Sequence, residues 1–279
     1  MPYIKVDTEN NTDINLYYED HGSGQPIILI HGYPLSGRAW EKQLPDLIIS
    51  GYRVITYDRR GFGQSSQPIT SYDYDTFAKD LHTLVSHLNL KNFVLVGHSM
   101  GGGEVARYLG TYGTKQVLKA VIISGIPPYL VKASDNPEGV DGAVFEKIKK
   151  AVTADRPAYL LEFCNQFYNF DKLNGKLVSK QVVDASWLIS VGASPWAAIN
   201  CVQTWGTDFR QDIAKIDIPV LVIQGDSDRI VPLENSGQRL PKLIKNCKLV
   251  LIKNGPHGIA WTHAEEVNTA LLDFLGSKN

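Results

Sequence analysis

The chain has 279 residues, of which 43% are hydrophobic and 20% charged, and its formal net charge is −1 at pH 7. That length can bury a large core, and the composition is that of an ordinary globular protein. No lysine or arginine block stands out, so nucleic acid and anionic membrane are not expected partners.

In chain order, residues 3–6 and 14–19 read as two strands of an antiparallel start, with Gly22-Ser23-Gly24 as a turn. Residues 26–30 are a fully apolar strand, hence buried on both faces. It ends in His31-Gly32-Tyr33-Pro34, and an amphipathic helix is expected over 39–49, closed by Gly51. Residues 52–57 form the next strand, and Asp58-Arg59-Arg60-Gly61-Phe62-Gly63-Gln64-Ser65 a loop. A helix over 74–88 puts Phe77, Leu81, Leu84, Val85 and Leu88 on one face. A strand from Phe93 leads into a helical pattern at Val105, and residues 117–124 are another strand. From 126 to 212 the pattern is helical, aromatic and punctuated by proline. Strands return at 218–223 and 249–252, and a helix over 260–275 finishes the chain.

Alternating strands and helices predict a parallel sheet covered on both faces. With no flexible linker at either boundary, 126–212 reads as a helical cap inserted into one core domain made of 1–125 and 213–279. Cys164, Cys201 and Cys247 are odd in number and far apart, which fits a reducing compartment. The start Met-Pro-Tyr-Ile-Lys-Val shows no secretory apolar stretch, and no run approaches transmembrane length. A cytoplasmic protein is expected.

The chemistry centres on Gly97-His98-Ser99-Met100-Gly101, a glycine-flanked serine between a strand and a helix. This is the nucleophile-elbow pattern in its required context. Reversal from strand to helix within one residue strains the apex, with φ above zero expected at Ser99. Ligands in such sheets sit at the carboxyl ends of the strands. There the chain carries His31-Gly32-Tyr33, then Gly225-Asp226-Ser227-Asp228, then Gly255-Pro256-His257-Gly258. The order serine, aspartate, histidine suits a hydrolase of this topology. Either Asp226 or Asp228 supplies the acid on this ground alone, and His263 competes with His257. His31 and His98 read as groups that satisfy backbone, and Asp58 and Arg60 as loop organisers.

With these segments in view, the sequence resembles the α/β-hydrolase superfamily, and within it the cofactor-free haloperoxidase (perhydrolase) and arylesterase group. The resemblance runs through His31-Gly32-Tyr33-Pro34-Leu35-Ser36-Gly37, Tyr57 to Ser65, Gly97 to Glu104, Thr207-Asp208-Phe209-Arg210 and Gly255 to Gly258. It implies an α/β-hydrolase fold, a mostly parallel doubly wound sheet of about eight strands with an inserted helical cap. It also implies Ser99 as nucleophile, His257 as base and Asp228 as acid. Backbone N–H groups of Tyr33 and Met100 are expected to form the oxyanion hole. Relatives of the group often carry Trp or Phe where this chain has Tyr33, which bears on the size of the acyl pocket. In the group, a proline at the position of Pro34 goes with use of hydrogen peroxide in place of water.

The expected activity is therefore acyl transfer from small-to-medium uncharged esters through an acyl-enzyme, with a perhydrolase side activity and no cofactor. Pro34, Phe163, Phe167, Ile230 and Val231 are the expected substrate contacts. A carbon–carbon bond, lactone or lactam hydrolase on the same triad is the alternative, and a catalytically idle binding protein a remote one. The expected partner is a small-molecule ester or carboxylic acid, and a homo-oligomer is left open. Metal-ligand spacings such as His-Glu-x-x-His or Cys-x-x-Cys do not occur.

Overall fold

The computed structural model describes residues 2–277. Its strands are β1 (Tyr3–Glu9), β2 (Thr12–Gly22), β3 (Gln25–Ile30), β4 (Tyr52–Tyr57), β5 (Phe93–His98), β6 (Val117–Ile123), β7 (Val220–Gly225) and β8 (Cys247–Ile252). They form one eight-stranded sheet in the order β1-β2-β4-β3-β5-β6-β7-β8. The β1–β2 and β2–β4 pairs are antiparallel, and from β4 to β8 every neighbouring pair is parallel.

Side chains of the central strands alternate between two cores, as strand geometry requires. Ile28, Ile30, Leu95 and Ile122 face one core with Phe77, Leu81, Val105 and Leu109. These come from α2 (Tyr74–His87) and α3 (Met100–Tyr112), the two α-helices that follow α1 (Leu44–Ile49). Ile27, Leu29, Val94, Val96 and Val121 face the other core, with Leu47 of α1 and Val267, Leu271 and Leu275 of the C-terminal helix. Burial on both faces is why β3 and β5 read as unbroken apolar runs.

Six helices lie between β6 and β7: α4 (Gly142–Ala154), α5 (Arg156–Phe167), α6 (Phe170–Leu173), α7 (Lys180–Val191), α8 (Pro195–Thr204) and α9 (Arg210–Ile213). Helices α4, α5, α7 and α8 start on side-chain caps from Asp141, Asp155, Ser179 and Ser194. After β7 come α10 (Leu240–Leu243), α11 (Ile259–Thr262) and α12 (Ala264–Gly276).

Three expectations need correction. The helix expected over 39–49 is split into a 3₁₀ turn, Gly37–Trp40, and α1. Pro45 lacks an N–H and is tolerated only in the first turn of a helix, so α1 begins beside it. Residues 126–141 are not helical. Pro127 and Pro128 cannot donate there, and the stretch closes on Asn136, whose side-chain amide donates to the carbonyls of Tyr129 (3.0 Å) and Val131 (3.2 Å). The final helix breaks at His263, whose φ of −126° and ψ of 44° leave the helical region. No single helix among the described residues is long and apolar enough to cross a membrane.

Candidate active site

Ser99 stands between β5 and α3 with φ 54° and ψ −118°, a strained conformation for a residue with a side chain. The tight reversal needs its glycines. A Cβ on Gly97 would run into the Gly101 carbonyl, and one on Gly101 into the carbonyl of Ile30. Ser99 N–H is held by Ile123 O at 2.8 Å, which ties the apex to β6. The hydroxyl therefore sits over the N-terminus of α3, where a developing negative charge is favoured.

Two backbone N–H groups next to Ser99 or to its close neighbour Gly32 are without a partner in the protein among the described residues. Met100 is the first residue of α3, and its N–H has no partner within the helix. Gly32 packs so closely that a Cβ there would lie 2.9 Å from Ser99 Cβ. The next residue, Tyr33, has an N–H with no acceptor in the protein among the described residues.

His257 Nε2 lies 2.8 Å from Ser99 Oγ, and His257 Nδ1 lies 2.8 Å from Asp228 Oδ2. An ionised carboxylate only accepts, so Nδ1 carries the proton and Nε2 is left to accept from the serine hydroxyl. Both side chains of the histidine–aspartate pair are fully buried. Asp228 Oδ1 accepts from the N–H groups of Ile230 and Val231, each at 2.9 Å, which fixes the carboxylate plane. Asp226 points elsewhere: its Oδ1 accepts from Asn254 N–H at 2.7 Å. His263 is engaged with the Thr262 hydroxyl at 2.9 Å.

His31 and His98, the other two histidines near the site, are framework. His98 Nε2–H donates to the His257 carbonyl at 3.1 Å, and burial, with His257 alongside, pushes its pKa down to about 3. The folded chain thus keeps His98 neutral between about pH 3 and the ordinary histidine value of 6.5, while the unfolded chain takes up a proton. Stability from this site is complete above pH 6.5 and drains as pH falls toward 3. A His98→Gln variant, which retains an N–H donor, is expected to lose stability less steeply across that window in urea titrations.

His31 Nε2 accepts from Arg59 N–H at 3.0 Å, so Nδ1 bears the proton and donates to Gly32 O at 2.9 Å. Burial first, and the Arg59 charge second, hold His31 well below the usual histidine range. Arg59 also donates through Nη2 to the His31 carbonyl at 3.0 Å. Its guanidinium pairs with Glu104 of α3 through Nε (2.8 Å) and Nη2 (2.7 Å), and Tyr57 O–H donates to the same carboxylate. This buried pair links the segment bearing Tyr33 to the helix bearing Met100. Asp58 organises its loop by accepting from Gly37 N–H and Gln64 N–H, and Arg60 makes a bidentate pair with Asp80.

Ser99 opens onto a cavity of about 260 Å³ whose wall is mainly apolar. Phe163, Ile230 and Val231 line it, as does Tyr33, whose O–H donates to Ala198 O of α8 at 3.0 Å. Two of the expected substrate contacts stand outside the wall. Pro34 is buried and is not among the lining residues. Phe167 is one turn beyond Phe163 on α5, and its ring packs edge-to-face against His257 with centroids 5.1 Å apart. The sequence reading did not single out Phe145, Ile148, Tyr159 or Trp205 as wall residues. The four-residue spacing of Tyr159 and Phe163 on a helix was the available signal for one of them.

A profile of the α/β-hydrolase fold family matches residues 25–264. A non-heme haloperoxidase from Rhodococcus erythropolis is 40% identical over 279 residues, covering 99% of this chain and all of the relative. A bifunctional esterase/perhydrolase from Acinetobacter calcoaceticus is 37% identical, over 98% of this chain and 99% of its own. Among solved structures, a bromoperoxidase from Bacillus anthracis is 52% identical, superposes with a TM-score of 0.94 and covers 99% of each chain.

Proposed function

This chain belongs to the α/β-hydrolase family, and from that premise we propose that it is a serine hydrolase of small-to-medium uncharged carboxylic esters with perhydrolase side activity. One observation carries the reading: a continuous hydrogen-bonded chain from Ser99 Oγ through His257 to Asp228, opening on an apolar cavity. The esterase/perhydrolase relative supports the pairing of the two activities.

In this mechanism His257 Nε2 takes the Ser99 proton as Oγ attacks the acyl carbonyl. Asp228 holds the tautomer and stabilises the imidazolium. The oxyanion is held by the N–H groups of Tyr33 and Met100, and losing one such donor typically costs ~2.7–4 kcal/mol of transition-state energy. His257 then hands its proton to the leaving alcohol, and the acyl group stays on Ser99. Water attacking the acyl-enzyme releases a carboxylic acid. Hydrogen peroxide attacking it releases a peracid, which oxidises halide to hypohalous acid and returns the carboxylate. No cofactor takes part.

The wall contributes no ionised group except Arg229 at its edge, and Asp171 already occupies that guanidinium. This favours an uncharged acyl portion such as that of a short-chain aryl ester. All three cysteines are free thiols, in keeping with a cytoplasmic setting. A panel of chromogenic aryl esters of increasing acyl length, with and without peroxide, tests the reading; no turnover on any member refutes it. Pro34 has no N–H and fixes its own φ, so it sets the course of the backbone beside Tyr33. Pro34→Leu is expected to lower the ratio of peracid formation to ester hydrolysis, and an unchanged ratio removes Pro34 from the choice of nucleophile.

A further inference from the structure

Asp228 and His257 sit on different loops, one after β7 and one after β8, and a single short piece of the inserted helices touches both. That piece is residues 167–171, the corner between α5 and α6. At its first residue, Phe167 O accepts from the N–H of Gly258, the residue after His257, at 2.8 Å. Two residues on, Asn169 Nδ2 donates to the carbonyl of Ser227, the residue before Asp228, also at 2.8 Å. Two residues further, the Asp171 carboxylate receives Arg229, the residue after Asp228, through Nη1 (2.8 Å) and Nη2 (3.1 Å). Asp228 is thus held on both sides in sequence, and His257 on one, by the same five residues.

Asn169 is the centre of this arrangement. It is 2% exposed and takes the left-handed conformation, φ 48° and ψ 47°, which asparagine tolerates better than most residues with a side chain. Its Oδ1 is buried with no partner among the described residues. A buried amide with an unmet acceptor and an unfavourable backbone region lowers stability. Packing alone does not account for its presence. What it gains is the grip on Ser227.

We propose that residues 167–171 brace the acid and base loops from the helical insertion, with Asn169 as a positioning residue that keeps Asp228 within hydrogen-bonding distance of His257. The insertion is then part of the scaffold of the triad, and it does not lift away at this corner when substrate enters. The inference rests on the serine-hydrolase reading above.

The test uses the full chain and a short-chain aryl ester. Asn169→Gly keeps the left-handed backbone and removes the amide. Its kcat is expected to fall about tenfold with KM changed less than about twofold. Asn169→Asp, of the same shape but with no N–H to give, should fall likewise. Asp171→Ala, at the exposed end of the brace, should lose about two- to threefold in kcat at low salt, a difference that closes at high salt as the wild-type pair is screened. An unchanged kcat in Asn169→Gly, with only the melting midpoint lowered, would make the amide purely structural and overturn the proposal. If Asn169→Gly does not fold, Asp171→Ala decides, and an unchanged kcat at low salt overturns the brace. Absence of ester turnover by the wild-type chain would remove the parent reading, and the brace with it.

Discussion

Ser99→Ala is expected to lower kcat for a short-chain aryl ester by at least about 10⁴-fold while KM changes little. The alanine leaves the cavity, the two backbone donors and the β5–α3 reversal in place, so substrate still binds and the carbonyl is still polarised. What disappears is the covalent route, and the residual rate is that of water attacking a bound, polarised ester. His257→Ala should do comparable damage, and the Ser99→Ala/His257→Ala pair should be no worse than either single change, because the two residues act as a unit. Stability should move the other way in Ser99→Gly. The backbone at φ 54° and ψ −118° is strained for serine by roughly 1–3 kcal/mol and is accessible to glycine. A dead enzyme that melts higher than the wild type is the expected signature of strain spent on presenting a nucleophile. Equal turnover by wild type and Ser99→Ala would assign the activity to another group or to a contaminant.

The parts of this architecture that the sequence made legible are those with local signatures. β4 is seen at 52–57 as expected, and the elbow was readable because Gly97, Ser99 and Gly101 stand between a strand and a helix. The positive φ of Ser99 follows from the sterics of that reversal. The split of 39–49 at Pro45 was also readable in principle, since proline marks a helix start as reliably as it breaks an interior. Other features had no local trace. Asn169 looks like any asparagine in a helical stretch until its amide is seen across 58 residues of chain at Ser227. Phe163 and Phe167 are equivalent by periodicity, yet one lines the cavity and the other packs against His257. Helical spacing gives a face, and only the placement of the helix decides what that face meets. Glu104 stood within a glycine-rich segment, and a carboxylate with no exposure at all is unexpected until Arg59 is placed beside it.

That buried pair carries the second large effect. Arg59→Met should destabilise the fold by about 3–5 kcal/mol, because Glu104 is then left as an uncompensated buried charge. In a chain of this size the melting midpoint should drop on the order of 10 °C. Burial already pushes the Glu104 carboxyl above its ordinary range with Arg59 present, and without the guanidinium only the Tyr57 hydrogen bond opposes that push. A carboxyl whose folded pKa is raised contributes its stability below the unfolded value of about 4.5 and loses it as pH rises through the folded value. The deficit of Arg59→Met should therefore be greatest near neutral pH and shrink on acidification, measured as the difference from wild type in urea midpoints. Arg59→Met/Glu104→Gln separates the two consequences. The glutamine removes the stranded charge and still accepts from Tyr57 O–H, so much of the stability should return. Activity should not return with it, because the His31 carbonyl has lost the Arg59 Nη2 donor. With that bond goes the link between the Tyr33 segment and α3. A double variant as active as wild type would show that the N–H groups of Tyr33 and Met100 hold their places without the buried pair.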